Sequence, residues 1–77
     1  MPRVAQVDGA TINVYFADHN PPHFHAREAG AQALITIRDL TVLRGAVPSL
    51  PAVLAWAEEN RETLIAAWNT CNPDKPY

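Results

Sequence analysis

The rest of the chain is organised around the octapeptide Asp18-His19-Asn20-Pro21-Pro22-His23-Phe24-His25. This stretch contains all three histidines of the protein and two adjacent prolines, each of which fixes its φ angle and lacks an N–H group. A paired central strand cannot run through two prolines, so strand structure must end before them and resume after them. The octapeptide is therefore a stiff bend that divides the predicted sheet and concentrates chemically active side chains.

The residues before the bend show the two-residue alternation of a half-buried strand. A hairpin signal, Asp8-Gly9, precedes residues 10–16. Within that range Ile12, Val14 and Phe16 share one face, while the intervening residues are polar or aromatic. This alternation predicts a strand whose Ile12, Val14 and Phe16 side chains all point into the core.

The alternation continues after the bend and assigns the histidines to one face of a second strand. His23, His25 and Arg27 face one way, whereas Phe24 and Ala26 face the other. Further strands are predicted at residues 3–7, 31–37 and 41–44, separated by turns at 28–30 and 38–39. Together these segments predict a small antiparallel meander sheet of four or five strands.

The C-terminal third changes to helical spacing. Ser49 occupies an N-cap position and Pro51 lies in the first turn, where a missing N–H costs nothing. The apolar stripe that follows consists of Leu50, Val53, Leu54, Ala57, Leu64, Ile65 and Trp68. We expect one long or two short helices to cover the apolar face of the sheet, giving an α+β fold, with residues 72–77 as a mobile tail.

Arg61 interrupts the apolar stripe. In a continuous helix it would project within about 20° of Leu50 and Trp68, at the centre of the buried face. Buried arginine needs a carboxylate or other hydrogen-bonding partners. Either the helix breaks near Glu59-Asn60, or Arg61 reaches a partner such as Asp18 or Glu28.

Composition limits the classes of function. The chain of 77 residues has room for one domain, spanning residues 1–77, and its net charge of −2 with six scattered basic residues argues against DNA binding. No apolar run reaches the ~20 residues of a membrane span and no signal-peptide core is visible, so a cytoplasmic location is expected. A domain this small buries only about 60 % of its unfolded surface, which favours a homodimer or a small cognate partner protein.

The histidine spacing permits a metal site. On one strand, His23 and His25 lie about 6.5 Å apart on the same side, close enough to bind one ion. His19, carried by the rigid bend, is a candidate third ligand, and Asp18 is either a ligand or an orienting group. This interpretation calls for zinc or nickel, in a binding or protein-interaction module without turnover.

The same residues also permit metal-independent acid–base chemistry. His23 and His25 would serve as general acid and base, and Arg27, next along the same face, would hold a phosphate. Small ribonucleases need these functions and no cofactor. Further possibilities are a solvated face of capping histidines and, after removal of Met1, a reactive amine at Pro2.

Four features occur together along the chain: a Met1-Pro2 start, the Asp8-Gly9 turn, the octapeptide, and a helix with Trp56, Asn60-Arg61-Glu62, Leu64 and Trp68. In this combination the chain resembles, over nearly its whole length, a bacterial family called domain of unknown function 4160. The resemblance maps residues 18–25 onto the most distinctive motif of the family and Arg61 onto a basic helix position. Relatives often end in a basic extension, whereas the tail here has only Lys75.

The resemblance implies a role without supplying a catalytic residue set. Family members are similar to proteins encoded beside a second small domain of unknown function, a pairing that has suggested toxin–antitoxin modules. It therefore implies that this chain is the toxin-like component of a two-protein module, with RNA as a possible substrate. In that hypothesis the catalytic residues are His23, His25, Arg27 and Arg61, and the orienting residues are Asp18, His19 and Asn20.

Overall fold

The computed structural model describes residues 3–77, and Met1 and Pro2 lie outside the described residues. Within this range the chain forms five strands followed by two helices. The strands are β1 (Arg3–Val7), β2 (Ala10–Asn13), β3 (His23–Glu28), β4 (Ala31–Thr36) and β5 (Val42–Gly45), and the helices are α1 (Leu50–Glu59) and α2 (Arg61–Cys71).

The strands lie in chain order in one sheet, and each pairs with its neighbour in antiparallel fashion. Val7 pairs with Ala10 across the predicted Asp8-Gly9 turn. Antiparallel neighbours can be joined by short turns because no crossover is needed. The predicted α+β meander is therefore confirmed, with five strands and two helices.

One face of the sheet carries the hydrophobic core. The strand registers place Ile12, Ala26 and Ala33 in one row and Phe24 beside Ile35. The helices complete this core with the buried side chains of Val53, Ala57, Leu64, Trp68 and Cys71. Full burial of each large apolar side chain contributes about 1.5–3 kcal/mol, so this layer supplies most of the stabilising free energy.

Phe16 is not part of the core, and the prediction that it points inward is wrong. β2 ends at Asn13, and Phe16 leaves 61 % of its surface exposed. The alternation holds as far as Val14, which is fully buried. Ala17 then adopts φ 53°, a left-handed conformation that is uncommon for residues other than glycine, and the chain turns away from the strand direction.

The helical segment breaks at Asn60, which confirms the two-helix alternative. Asn60 is both the C-cap of α1 and the N-cap of α2, and its Nδ2 donates to the Trp56 carbonyl at 2.8 Å. The break frees Arg61 from the apolar stripe, so that its Nε donates to the Ile37 carbonyl at 3.0 Å. In residues 3–77 neither helix is long and apolar enough to cross a membrane.

Ser49 occupies the predicted N-cap position of α1 but makes no side-chain capping bond. Its N–H and its hydroxyl donate instead to the Glu28 carboxylate, at 2.7 and 2.8 Å. Gly9 leaves room for this carboxylate, because a Cβ there would lie 2.5 Å from Oε2 of Glu28. The end of β3 is thereby tied to the start of the helical layer.

Residues 72–77, predicted to be a mobile tail, pack against α2. The indole N–H of Trp68 donates to the Lys75 carbonyl at 2.7 Å, and the Tyr77 N–H donates to Oδ1 of Asn69 at 2.7 Å. A buried indole N–H needs an acceptor. The Lys75 carbonyl of the tail is that acceptor. The polar sequence of residues 72–77 gave no indication of this contact.

Candidate functional site

The candidate site lies on the face of β3 opposite Phe24 and Ala26, and it borders the core where Trp68 approaches His23. His23 and His25 are 5 % and 9 % exposed, while Phe24 and Ala26 fill the core on the other side of the same strand. Alternation along the strand places both imidazoles on one face, as predicted, and their ring centres lie 5.1 Å apart.

A segment that we call the covering loop, residues 14–22, lies over this face. The Tyr15 ring meets the His25 ring edge-on with 4.3 Å between ring centres. Trp68 of α2 lies 5.5 Å from the His23 ring, measured between centres. The imidazoles are therefore enclosed by aromatic side chains as well as by the sheet.

Asn72 fixes the covering loop to the end of α2. It is fully buried, and its Oδ1 accepts a 2.6 Å hydrogen bond from the Asp18 N–H. Its Nδ2 donates to the carbonyls of Tyr15 and Trp68, at 3.1 and 3.3 Å. The Ala17 N–H also donates to the Cys71 carbonyl at 3.3 Å. These contacts hold the Asp18 backbone in place and so aim its carboxylate at the histidines.

Asp18, His23 and His25 form what we call the Asp-His-His cluster. Oδ2 of Asp18 lies 3.0 Å from Nε2 of His23 and 3.3 Å from Nε2 of His25. Oδ1 of the same carboxylate accepts the His19 N–H at 2.8 Å. One potential ligand atom from each of the three residues lies within 4.8 Å of the others. The cluster therefore has the composition and the spacing of a site that could bind a metal ion.

Both ring nitrogens of His23 face hydrogen-bond acceptors. Its Nδ1 lies 2.7 Å from the Pro21 carbonyl, which can only accept, so Nδ1 carries a proton. Its Nε2 faces the Asp18 carboxylate. If the ring were neutral with its proton on Nδ1, the lone pair of Nε2 would face a lone pair of Oδ2. A proton or a metal cation must therefore lie between these two atoms.

His25 has a donor on one side and an acceptor on the other. Nε2 of Gln32 lies 3.2 Å from Nδ1 of His25, and Oδ2 of Asp18 lies 3.3 Å from its Nε2. The neutral ring satisfies both when Nδ1 accepts from the amide and Nε2–H donates to the carboxylate.

The electrostatics agree with an ionised Asp18 and a neutral His25. Burial raises the pKa of Asp18, but the hydrogen bond from the His19 N–H, the hydrogen bond with His25 and the nearby imidazoles outweigh it and lower the pKa. Burial also lowers the pKa of His25, and the opposing hydrogen bond with Asp18 offsets this only in part. His25 therefore offers an uncharged ring, the state in which imidazole binds metal ions.

The remaining predicted site residues lie around the cluster. The His19 side chain is exposed, and His19 contributes its backbone N–H, so the structure brings together two imidazoles and a carboxylate. Asn20 is exposed next to a cis Asn20-Pro21 peptide bond. Arg27 is exposed on the histidine face of β3.

Arg61 lies at the junction of α1 and α2. It lines a surface groove with Glu58, Glu59 and Glu62, and its Nε donates to the backbone of Ile37. Among residues 3–77 it forms no ion pair with Asp18 or Glu28. Glu28 is bonded by Ser49 instead.

Sequence reasoning missed three residues of the site: Gln32, Tyr15 and Asn72. Strand register could have indicated Gln32, because it lies on the histidine face of the strand next to His25. Tyr15 was assigned to a strand that ends before it. Asn72 had no local signal, because its partners lie 54 and 57 residues away.

Comparison with known protein families gives one match, and it covers the Asp-His-His cluster. A profile built for one protein family matches residues 9–69, which include Gln32 and the whole Asp-His-His cluster. A search of curated proteins and a search of solved structures gave no match. Since the matched segment spans well over half of its length, the chain belongs to the family described as Domain of unknown function (DUF4160).

Proposed function

We propose that this protein binds a divalent transition metal ion, such as zinc or nickel, through Asp18, His23 and His25. The observation that carries the proposal is the convergence of two Nε2 atoms on one carboxylate oxygen, at 3.0 and 3.3 Å. Two ligands at about 2.0–2.1 Å from a tetrahedral ion lie about 3.3 Å apart, which matches both contacts of Asp18. The three ligand atoms together span up to 4.8 Å, so the two imidazoles must move toward each other to bind one ion.

The surroundings of His23 support the same conclusion. A metal-binding histidine typically donates its other N–H to a carbonyl or carboxylate, which fixes the tautomer and the ring orientation. The Pro21 carbonyl accepts from Nδ1 of His23 in this way, at 2.7 Å. A cation at Nε2 would replace the proton that the contact with Asp18 otherwise requires.

The donor set indicates the class of metal. Two imidazoles and one carboxylate suit zinc, nickel and ferrous iron, whereas magnesium and calcium prefer oxygen ligands. Three protein ligands leave a coordination position for water or another ligand. The burial of both histidines limits access to that position, because only Asp18, with 17 % of its side chain exposed, reaches solvent appreciably.

Metal analysis tests the proposal directly. The full chain, purified without a histidine tag or a nickel column, is incubated with zinc or nickel, desalted and analysed by mass spectrometry. We expect about one ion per chain for the native protein and loss of that ion in Asp18→Asn and His25→Ala. Asp18→Asn removes the charge while preserving side-chain size, so it also guards against a variant that fails to fold.

His19→Ala is the matched control, since it removes an exposed imidazole from the same octapeptide. We expect this variant to keep the ion. A native chain without bound metal, or a folded Asp18→Asn variant that binds as much as the native chain, would overturn the proposal.

A second candidate is metal-independent RNA cleavage by a toxin-like component of a two-protein module in the bacterial cytoplasm. It is favoured by the 5.1 Å separation of the two imidazole ring centres and by the exposed Arg27 on the same face. It ranks second because a phosphodiester must displace the covering loop before it can reach the buried rings. Arg61, hydrogen-bonded to Ile37, would have to reorient to contact the phosphate.

Cleavage assays separate the two candidates. Single-stranded RNA incubated with the chain should yield 2′,3′-cyclic phosphate ends in the presence of EDTA, and the His23→Ala, His25→Ala double variant should be inactive. Expression of the native chain should arrest bacterial growth, and the double variant should not. Normal growth with the native chain and intact RNA after prolonged incubation would exclude this candidate.

A further inference from the structure

Gln32 lies beside the Asp-His-His cluster. It is on β4, diagonal to His25 of β3, because Leu34 pairs with His25 and Gln32 pairs with Arg27. Diagonal neighbours on one face of an antiparallel pair are within reach of long side chains. The Gln32 amide uses this position to contact Nδ1 of His25 at 3.2 Å.

The two imidazoles differ in what holds their Nδ1 atoms. Nδ1 of His23 is held by the Pro21 carbonyl, a backbone group that can only accept. Nδ1 of His25 is held by a side-chain amide, which can donate through nitrogen or accept through oxygen after a half-turn. The Nδ1 proton of His23 is therefore fixed by the backbone. At Nδ1 of His25 the amide can support the Nε2–H tautomer that the Asp18 carboxylate favours or, after turning, the Nδ1–H tautomer.

We infer that Gln32 is a positioning residue that selects the tautomer of His25 and thereby sets the metal affinity of the cluster. In the metal-free protein the amide N–H donates to Nδ1, and the proton of His25 is kept on Nε2, where it donates to Asp18. A metal ion needs the Nε2 lone pair, so that proton leaves to water and Nδ1 takes one up, which leaves the ring neutral. The amide then turns so that its oxygen accepts the new Nδ1–H.

Two substitutions of Gln32 test the inference, whose affinity part rests on the proposed metal binding. Gln32→Glu supplies only acceptors and favours a proton on Nδ1. Gln32→Met has a similar length and offers no strong acceptor for that proton. We expect zinc affinity to rise about tenfold in the first variant and to fall about tenfold in the second, since partners of ligating histidines typically change affinity by 10–100-fold.

Thr11→Glu controls for the added negative charge. Asn13 of β2 pairs with His25, so Thr11 is the diagonal neighbour of His25 on the opposite side of β3 from Gln32. Its hydroxyl donates to Gln6 and makes no contact with the cluster among the hydrogen bonds of residues 3–77. Thr11→Glu should raise zinc affinity much less than Gln32→Glu does.

A readout without metal keeps the inference separate from the proposed function. Nitrogen-15 NMR of the metal-free chain should show the His25 proton on Nε2 in the native protein and a protonated Nδ1 in Gln32→Glu. An unchanged Nδ1 in Gln32→Glu, or native zinc affinity in Gln32→Met, would overturn the inference. If the native chain binds no zinc but Nδ1 responds to Gln32→Glu, the proposed function fails and the role of Gln32 in tautomer selection stands.

Discussion

On one face of β3, Phe24 and Ala26 pack against the apolar side chains of the helices, whereas on the other face His23 and His25 are buried under the covering loop. All four side chains are buried, but their burial is stabilised in different ways. Apolar burial needs only suitable shape and volume. Polar burial requires a partner for each donor and acceptor, because an unsatisfied group costs about 1–3 kcal/mol. A bound cation can therefore change the free energy of unfolding through the histidine face, where it would contact polar groups, and not through the apolar face.

The largest effect is expected on the apolar face. Phe24→Ala removes a fully buried ring and should lower the free energy of unfolding by about 3–5 kcal/mol, from a total of roughly 5–15 kcal/mol. Urea unfolding followed by circular dichroism measures the loss. A change below about 1 kcal/mol would show that this face does not dominate the stability of the domain.

The second-largest change in the free energy of unfolding is expected from zinc binding at the histidine face. At a free zinc concentration 100 times the dissociation constant, the free energy of unfolding should rise by about 2.7 kcal/mol, because the ion binds the folded chain. Asp18→Asn should show no such rise, while Phe24→Ala, if it remains folded, should still respond. Equal zinc responses in the native chain and Asp18→Asn would mean that the ion binds elsewhere.

Asn72 tests the attachment of the covering loop. Asn72→Leu leaves the Asp18 N–H and the Tyr15 carbonyl without their buried partner and should cost about 1–3 kcal/mol. Backbone amides of residues 14–20 should exchange hydrogen faster, while those of β3 and β4 keep their protection.

Asn69→Leu is the matched control for Asn72, since it changes the same residue type three positions earlier on α2. The side chain of Asn69 bonds only the exposed Tyr77 N–H among the side-chain hydrogen bonds of residues 3–77, so its loss should cost within about 0.5 kcal/mol. Equal exchange rates at Asp18 in the two variants would show that the loop is held by other contacts.

The two faces of β3 differ in how far their residues could be predicted from the sequence. The apolar face follows from alternation: Ile12 and Val14 were predicted to point inward by their spacing and are fully buried. The break between α1 and α2 was predicted as one of two alternatives, because Arg61 did not fit a continuous apolar stripe.

The histidine face was predictable only in part. Strand period put His23 and His25 on one side, but it could not show that Asp18 rather than His19 completes the cluster. That choice depends on Asn72, whose contacts with the loop span more than fifty residues of sequence. Side-chain hydrogen bonds between residues so far apart leave no periodic pattern in the sequence.

The smallest effect is expected at Phe16, in the covering loop beyond the end of β2. Phe16→Ser should change the free energy of unfolding by no more than about 0.5 kcal/mol, because the ring is 61 % exposed, whereas a core phenylalanine would cost several times more. Val14→Ala, two residues earlier and fully buried, is the control that should cost more. If Phe16→Ser destabilised the domain as much as Phe24→Ala, β2 would have to extend to Phe16, with the Phe16 ring buried in the core. The strand register would then place Tyr15 opposite His23, because Asn13 pairs with His25, and the covering loop would begin only after Phe16.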